Sequence, residues 1–138
     1  MKVVLVFPFL NHHAPVAPMG IISLGTVLKR ENIDVTLIDL SFSTSLDEYK
    51  ESIKRLMPDI VGISTMSLII DTAFEVAKLT KILCPQCKVV FGGAHATALP
   101  EETLTNEFVD VVVIGEGEYT LLELVRTWEN GGNLSEVK

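Results

Sequence analysis

Cysteine and histidine are the side chains most able to hold a metal or attack a substrate, and this sequence has few of them. Cys84-Pro85-Gln86-Cys87 has the C-x-x-C spacing of a redox dithiol or of half a zinc site. No second Cys/His pair completes four ligands, so the motif reads as two structural thiols. The histidines are His12 and His13, in a proline-rich stretch between Pro8 and Pro18, and His95, which follows a small-residue turn. The remaining candidates are rich in hydroxyls and glycine: Ser64-Thr65-Met66-Ser67, Gly92-Gly93-Ala94-His95 and Gly115-Glu116-Gly117-Glu118. Glycine pairs let a ligand approach the backbone closely, and hydroxyls give single hydrogen bonds without bulk, which is chemistry for binding. No nucleophile–base pair or carboxylate dyad falls at one place, so no catalytic residue is assigned and a small-molecule enzyme acting alone ranks last.

The elements that must position these motifs follow from the hydrophobic period. Runs at Lys2 to Phe7, Asp34 to Leu40, Ile60 to Ser64, Lys88 to Phe91 and Val109 to Ile114 are the strands. Four of them are nearly continuous Val/Ile/Leu, as in strands covered by helices on both faces. Helices alternate with them, the first running from Pro18-Met19-Gly20 to about Glu31. In the second, Leu46, Tyr49, Ile53 and Leu56 make one apolar face, Ser45-Leu46-Asp47-Glu48 has capping-box spacing, and Pro58 stops the helix at Met57. Thr72-Ala73-Phe74-Glu75 offers the same box to the third helix, which runs towards Leu83 before Cys84-Pro85 breaks it. A short fourth starts at Pro100, and the last starts at Gly117 and carries Leu121, Leu122, Leu124, Val125 and Trp128 before Gly131-Gly132. This alternation predicts one domain over residues 1–138, a flavodoxin-like (Rossmann-like) α/β fold. Its doubly wound five-stranded parallel sheet has the order 2-1-3-4-5, with helices on both faces. Ligands of such sheets lie beyond the carboxyl ends of the strands, at the switch point between strands 1 and 3; the hydroxyl and glycine motifs fall at that edge and the C-x-x-C pair at the opposite one.

Composition narrows the function classes. The chain has 138 residues, and with 48% hydrophobic against 21% charged side chains and a mean hydropathy of +0.39 it is built to form a core, which excludes disorder. A net charge of -7 without a Lys/Arg cluster argues against nucleic acid as a partner. Apolar stretches such as Val3 to Leu10 fall far short of the roughly 18 residues of a membrane span. With no signal peptide visible, two cysteines suggest reduced thiols in a cytoplasm. A phosphoacceptor receiver domain needs acidic residues after strand 1 and an aspartate after strand 3, where this chain has Phe7-Pro8 and Ser64-Thr65. A flavodoxin needs a hydroxyl-rich phosphate loop after strand 1, which the prolines cannot supply. A dinucleotide fingerprint needs G-x-G-x-x-G there, whereas the one G-x-G is Gly115-Glu116-Gly117, with Thr120 at the third position.

The strand-end motifs taken in order carry a resemblance. Ser64-Thr65-Met66 after strand 3, paired with Gly92-Gly93 after strand 4, resembles the S-x-L…GG pattern of cobalamin-binding domains, Met66 standing for Leu and residues 67 to 91 making a gap close to the usual one. Gly92-Gly93-Ala94-His95-Ala96-Thr97, followed by Val111 to Ile114 and Gly115-Glu116-Gly117-Glu118, is similar to the amino-terminal B12-binding domain of cobalamin-dependent radical S-adenosylmethionine (SAM) enzymes. Anaerobic magnesium-protoporphyrin IX monomethyl ester cyclases are one branch of these. The resemblance covers the chain from Pro8 and the Pro18-Met19-Gly20 helix start to Leu124. It implies cobalamin as cofactor and Met19, Gly20, Ser64, Thr65, Met66, Gly92, Gly93, His95, Gly115, Glu116 and Gly117 as the residues around it. Ser64 and Thr65 are placed to contact the nucleotide tail. For His95 two readings stand open, a hydrogen bond to the corrin periphery or phosphate and a turn histidine bonded to backbone.

One departure bears on the cobalt. Methionine-synthase-like domains carry D-x-H-x-x-G before the first helix, with the histidine as lower ligand; aligning its glycine with Gly20 puts Pro15 at the aspartate and Ala17 at the histidine. The resemblance therefore implies cobalamin bound base-off, its tail displaced into the domain, with no protein imidazole on cobalt and His12 and His13 solvated in their loop. A radical SAM domain needs three cysteines for its 4Fe-4S cluster, and this chain has two. The expectation is a fragment whose parent continues into a C-terminal radical SAM domain that holds the cluster and S-adenosylmethionine, for methyl transfer or another radical reaction. The contrasting expectation is a cofactor-free flavodoxin-like module that recognises another protein.

Overall fold

Lys2–Phe7 forms strand β1, and its residues Val3 to Val6 are at most 1% exposed because helices cover both faces. The structure is a computed structural model that describes residues 1–10 and 16–137. After β1 come α1 (Met19–Arg30), β2 (Asp34–Asp39), α2 (Asp47–Leu56), β3 (Ile60–Ser64) and α3 (Ile70–Leu83). Then follow β4 (Lys88–Gly92), two short helices α4 (Ala94–Ala98) and α5 (Pro100–Leu104), β5 (Val111–Val112) and α6 (Glu118–Glu129). All strand pairs are parallel, and the order is β2-β1-β3-β4-β5 as the alternation predicts. Among the described residues no helix is long and apolar enough to cross a membrane.

Strand alternation sorts the aliphatic residues into two cores. Val4, Val6, Val61 and Phe91 face α2 and α3, where they meet Ile53, Val76 and Ala77. Val3, Leu5, Ile60 and Val90 face α1 and α6 and meet Ile21, Leu28 and Val125. Tyr49 of α2 is fully buried in the first core, its hydroxyl 2.5 Å from Thr80 Oγ1, and Phe74 stacks on Phe91 with ring centroids 5.5 Å apart. Both cysteines are free and buried in that core, at the amino-terminal end of β4, and burial pushes the Cys87 thiol up to about 12.

Several local expectations are corrected. The capping box at Ser45 does not close: Asp47 N–H donates to Ser45 Oγ at 3.3 Å, but the Glu48 carboxylate turns to accept from Ser43 Oγ at 2.7 Å. Helix α3 starts at Ile70, directly after a 3-10 turn over Ser67–Ile69, so Thr72 lies inside its first turn and caps nothing. Burial of Ile69 against the α1/α6 core brings this start forward. Strand β5 is two residues long instead of six: Val109 N–H closes a turn on Asn106 O, and Ile114 is 61% exposed. Asp110 N–H and Val113 N–H still bond Val89 O and Phe91 O, so the edge follows β4 beyond its paired residues.

Candidate functional site

Leu5, Gly62 and Val90 lie in register across the three central strands, on the face turned to α1 and α6. They form the floor of a cleft of about 580 Å³ that opens at the carboxyl ends of the strands. Its walls are Ile21 and Leu24 of α1, Leu121 of α6 and Val113 beyond β5. The volume is within the range of small-molecule sites. Missing side chains keep it open. A Cβ on Gly62 would meet Leu5 Cδ2 at 2.7 Å, one on Gly117 would meet Val113 Cγ1 at 3.3 Å, and Gly20 has nothing within 4 Å of its Cβ position.

The mouth is built by the strand-end motifs. Ser64 ends β3, Gly92 and Gly93 lead from β4 into α4, and Gly115, Glu116 and Gly117 lead into α6; all of these line the cleft. Thr97 of α4 accepts a hydrogen bond from Gly115 N–H at 3.0 Å, which ties the last two loops together. Glu118, the first residue of α6, accepts from Ser23 Oγ at 2.7 Å and links α6 to α1.

Thr65 does not line the cleft. It is fully buried, and its hydroxyl donates to Gly92 O at 2.8 Å while accepting from Ala96 N–H at 3.2 Å. The Ala96 N–H is in the first turn of α4 and has no carbonyl partner within the helix, so this side chain acts as its cap. Thr65 N–H also donates to Gly92 O at 2.8 Å, and Thr65 O accepts from His95 N–H at 3.2 Å. Gly93 lies directly against this latch, with φ +98° and ψ -172°, a backbone region essentially reserved for glycine. A Cβ there would stand 2.7 Å from Thr65 O and 2.9 Å from Thr65 N. The Thr65–Gly93 contact is what fixes the β3 and β4 loops relative to each other.

The other expected site residues are dispersed. Met19 is 67% exposed on α1 and Met66 is half-buried against the α1/α6 core; neither lines the cleft. His95 lies in α4, buried beside the latch, with Nδ1 3.1 Å from Ser67 Oγ. His12, His13 and Pro15 lie outside the described residues, and among the described residues no group of His, Cys, Asp and Glu can hold a metal ion. Sequence reasoning missed Leu5, Ile21, Leu24, Gly62, Val90, Val113 and Leu121, and it quoted Thr97 in a motif without assigning it to the site. Only Gly62 carries a signal, a glycine inside the strand run Ile60-Val61-Gly62-Ile63, which marks a weak spot or a close approach.

The comparisons with known proteins agree with this geometry. The family model described as "B12 binding domain" matches residues 10–125. The uncharacterized methyltransferase PH0819 of Pyrococcus horikoshii is 36% identical over 122 residues, covering 87% of this chain and 26% of that protein. The anaerobic magnesium-protoporphyrin IX monomethyl ester cyclase of Cereibacter sphaeroides is 31% identical over 148 aligned positions, 100% of this chain and 24% of that protein. Among solved structures, the radical S-adenosylmethionine methyltransferase TsrM from Kitasatospora setae, with cobalamin and a 4Fe-4S cluster bound, superposes with a TM-score of 0.86 at 24% identity. That match covers 100% of this chain and 28% of TsrM and bears on the fold. The chain spans about a quarter of the length of the curated relatives it matches. With the family model matched over most of its length, the predicted sheet order observed and the strand-end motifs gathered around one cleft, the chain belongs to the B12 binding domain family.

Proposed function

We propose that this chain binds cobalamin base-off, with the nucleotide tail seated in the cleft between α1 and α6 and the corrin across its mouth. The observation that carries the reading is the size and chemistry of the cleft: an aliphatic interior of about 580 Å³ opening onto a glycine-edged mouth. An aromatic base fits such an interior, and the broad corrin fits only outside it, over Gly92-Gly93 and Gly115-Glu116-Gly117. Ser64 stands at the entrance with a hydroxyl that bonds no other described residue, ready to donate to a nitrogen of the base. The Thr65–Gly93 latch holds the entrance at fixed width. No described histidine is placed to ligate cobalt, since His95 is buried against Ser67, and Ala17 offers only a methyl group.

Cobalamin, when bound, supplies a cobalt centre able to carry a methyl group or an electron. The role proposed for the chain is to hold that centre with its upper face open to a radical SAM domain of the same parent protein, which brings the 4Fe-4S cluster and S-adenosylmethionine. The quarter-length coverage of the curated relatives supports this, as does their description as a methyltransferase and a cyclase. The free buried thiols suit a reducing compartment, and the cytoplasm is the proposed location.

The test is to mix the chain with hydroxocobalamin in dim light, remove free corrinoid by gel filtration and record the visible spectrum of the protein peak. Co-elution with the spectrum of detached benzimidazole is expected. A colourless peak at saturating corrinoid refutes the reading and leaves the protein-interaction module.

A further inference from the structure

We infer that the cleft selects among corrinoids by the polarity of the lower base, accepting a benzimidazole and disfavouring a purine; this rests on the seating of the tail proposed above. The interior is lined by Leu5, Ile21, Leu24, Val90, Val113 and Leu121, and Gly62 adds only backbone. Strand β3 lies between β1 and β4, so the backbone donors and acceptors along the floor are committed to the ladder. Every polar side chain lining the cleft is at the mouth. Thr97 Oγ1 is engaged by Gly115 N–H, Glu118 by Ser23, and Glu116 is exposed to water. Ser64 offers a donor at the entrance, and Thr97, which accepts from Gly115 N–H, keeps its own O–H at the rim on α4. Once detached from cobalt, a benzimidazole has one free ring nitrogen, which one hydroxyl satisfies. An adenine base adds an exocyclic amine and further ring nitrogens, and these would face aliphatic carbon. Burying such groups without partners weakens binding by roughly 10- to 100-fold.

The experiment titrates the chain calorimetrically with three corrinoids: cobalamin, the cobamide with adenine as lower base, and cobinamide, which has no nucleotide tail. Adenine is the weaker cobalt ligand and detaches more readily, so this bias runs against the expected order. Cobalamin is expected to bind at least about tenfold tighter than the adenine cobamide. If the two bind equally and both exceed cobinamide, the tail is seated but the selectivity is wrong, and this inference alone is overturned. If all three bind equally, or none binds, the tail does not enter the cleft and the functional reading falls with it.

Discussion

Replacing Gly93 by alanine tests whether the turn between β4 and α4 is held as described. Two separate costs are read from the structure. At φ +98° and ψ -172° a residue with a Cβ is strained by about 1–3 kcal/mol. The Cβ would also stand 2.7 Å from Thr65 O and 2.9 Å from Thr65 N, both backbone atoms of a fully buried residue, so the β3 and β4 loops must move apart. Overpacking of this kind adds at least about 1 kcal/mol, for a total of about 2–4 kcal/mol. For a domain of this size that lowers the melting temperature by roughly 6–15 °C. Gly115→Ala is the matched control. Its φ is +74° but nothing lies within 4 Å of the added Cβ, so only the backbone conformation is penalised, by about 1–2 kcal/mol. Thermal and urea denaturation followed by circular dichroism give both values. If Gly93→Ala destabilises no more than Gly115→Ala, the contact with Thr65 does not constrain the loops and the latch is wrong.

Thr65→Val, nearly isosteric, removes the acceptor of Ala96 N–H and should destabilise by about 1–2 kcal/mol in urea; a midpoint equal to that of the parent chain would show the hydroxyl to be dispensable. Gly62→Ala pushes Leu5 towards the cleft and should weaken cobalamin about tenfold in the calorimetric titration while leaving cobinamide unchanged, and equal losses for both would place the tail elsewhere. The Cys87 thiol, raised by burial from 9.0 to about 12, stabilises the fold fully below pH 9, and that contribution is lost as the pH rises from 9 towards 12. The urea midpoint should therefore be level from pH 7 to about 8.5 and fall above 9, more steeply than in Cys87→Ala; identical slopes in the two proteins would remove the thiol as the cause.

The sheet was legible because its signals are local and its connections have a fixed hand. Each aliphatic run is a strand, each intervening apolar stripe is a helix, and right-handed crossovers leave few ways to order five parallel strands. The helix starts at Ser45 and Thr72 were misread for the opposite reason. A capping box is a local pattern that contacts from outside it override: Ser43 takes the Glu48 carboxylate, and the burial of Ile69 accompanies a helix start before Thr72, neither of which spacing encodes. Strand β5 was read too long because Val109 to Ile114 is aliphatic at every position but Asp110, while an edge strand pairs on one side only and just Val111 and Val112 pair with β4.

At the site, the sequence alone determined which motifs reach the ligand edge, since a residue at the carboxyl end of a parallel strand stays there however the helices pack. It also determined that Ser64 shares a strand face with Ile60 and Gly62, because side chains alternate along a strand. Which of the two faces holds the cleft was decided only in the tertiary structure. Leu5, Val90 and Leu121 have the same composition signature as Val4, Val61 and Phe91, yet the first three line a void and the last three pack solidly. The difference is made at Gly20, Gly62 and Gly117, three positions far apart in the chain that line the void together and carry no side chain to fill it. The same holds for Thr65, one residue beyond Ser64. It turns inward because the β4 loop arrives there with an unpaired N–H at Ala96, a partner that exists only once the two strands are side by side.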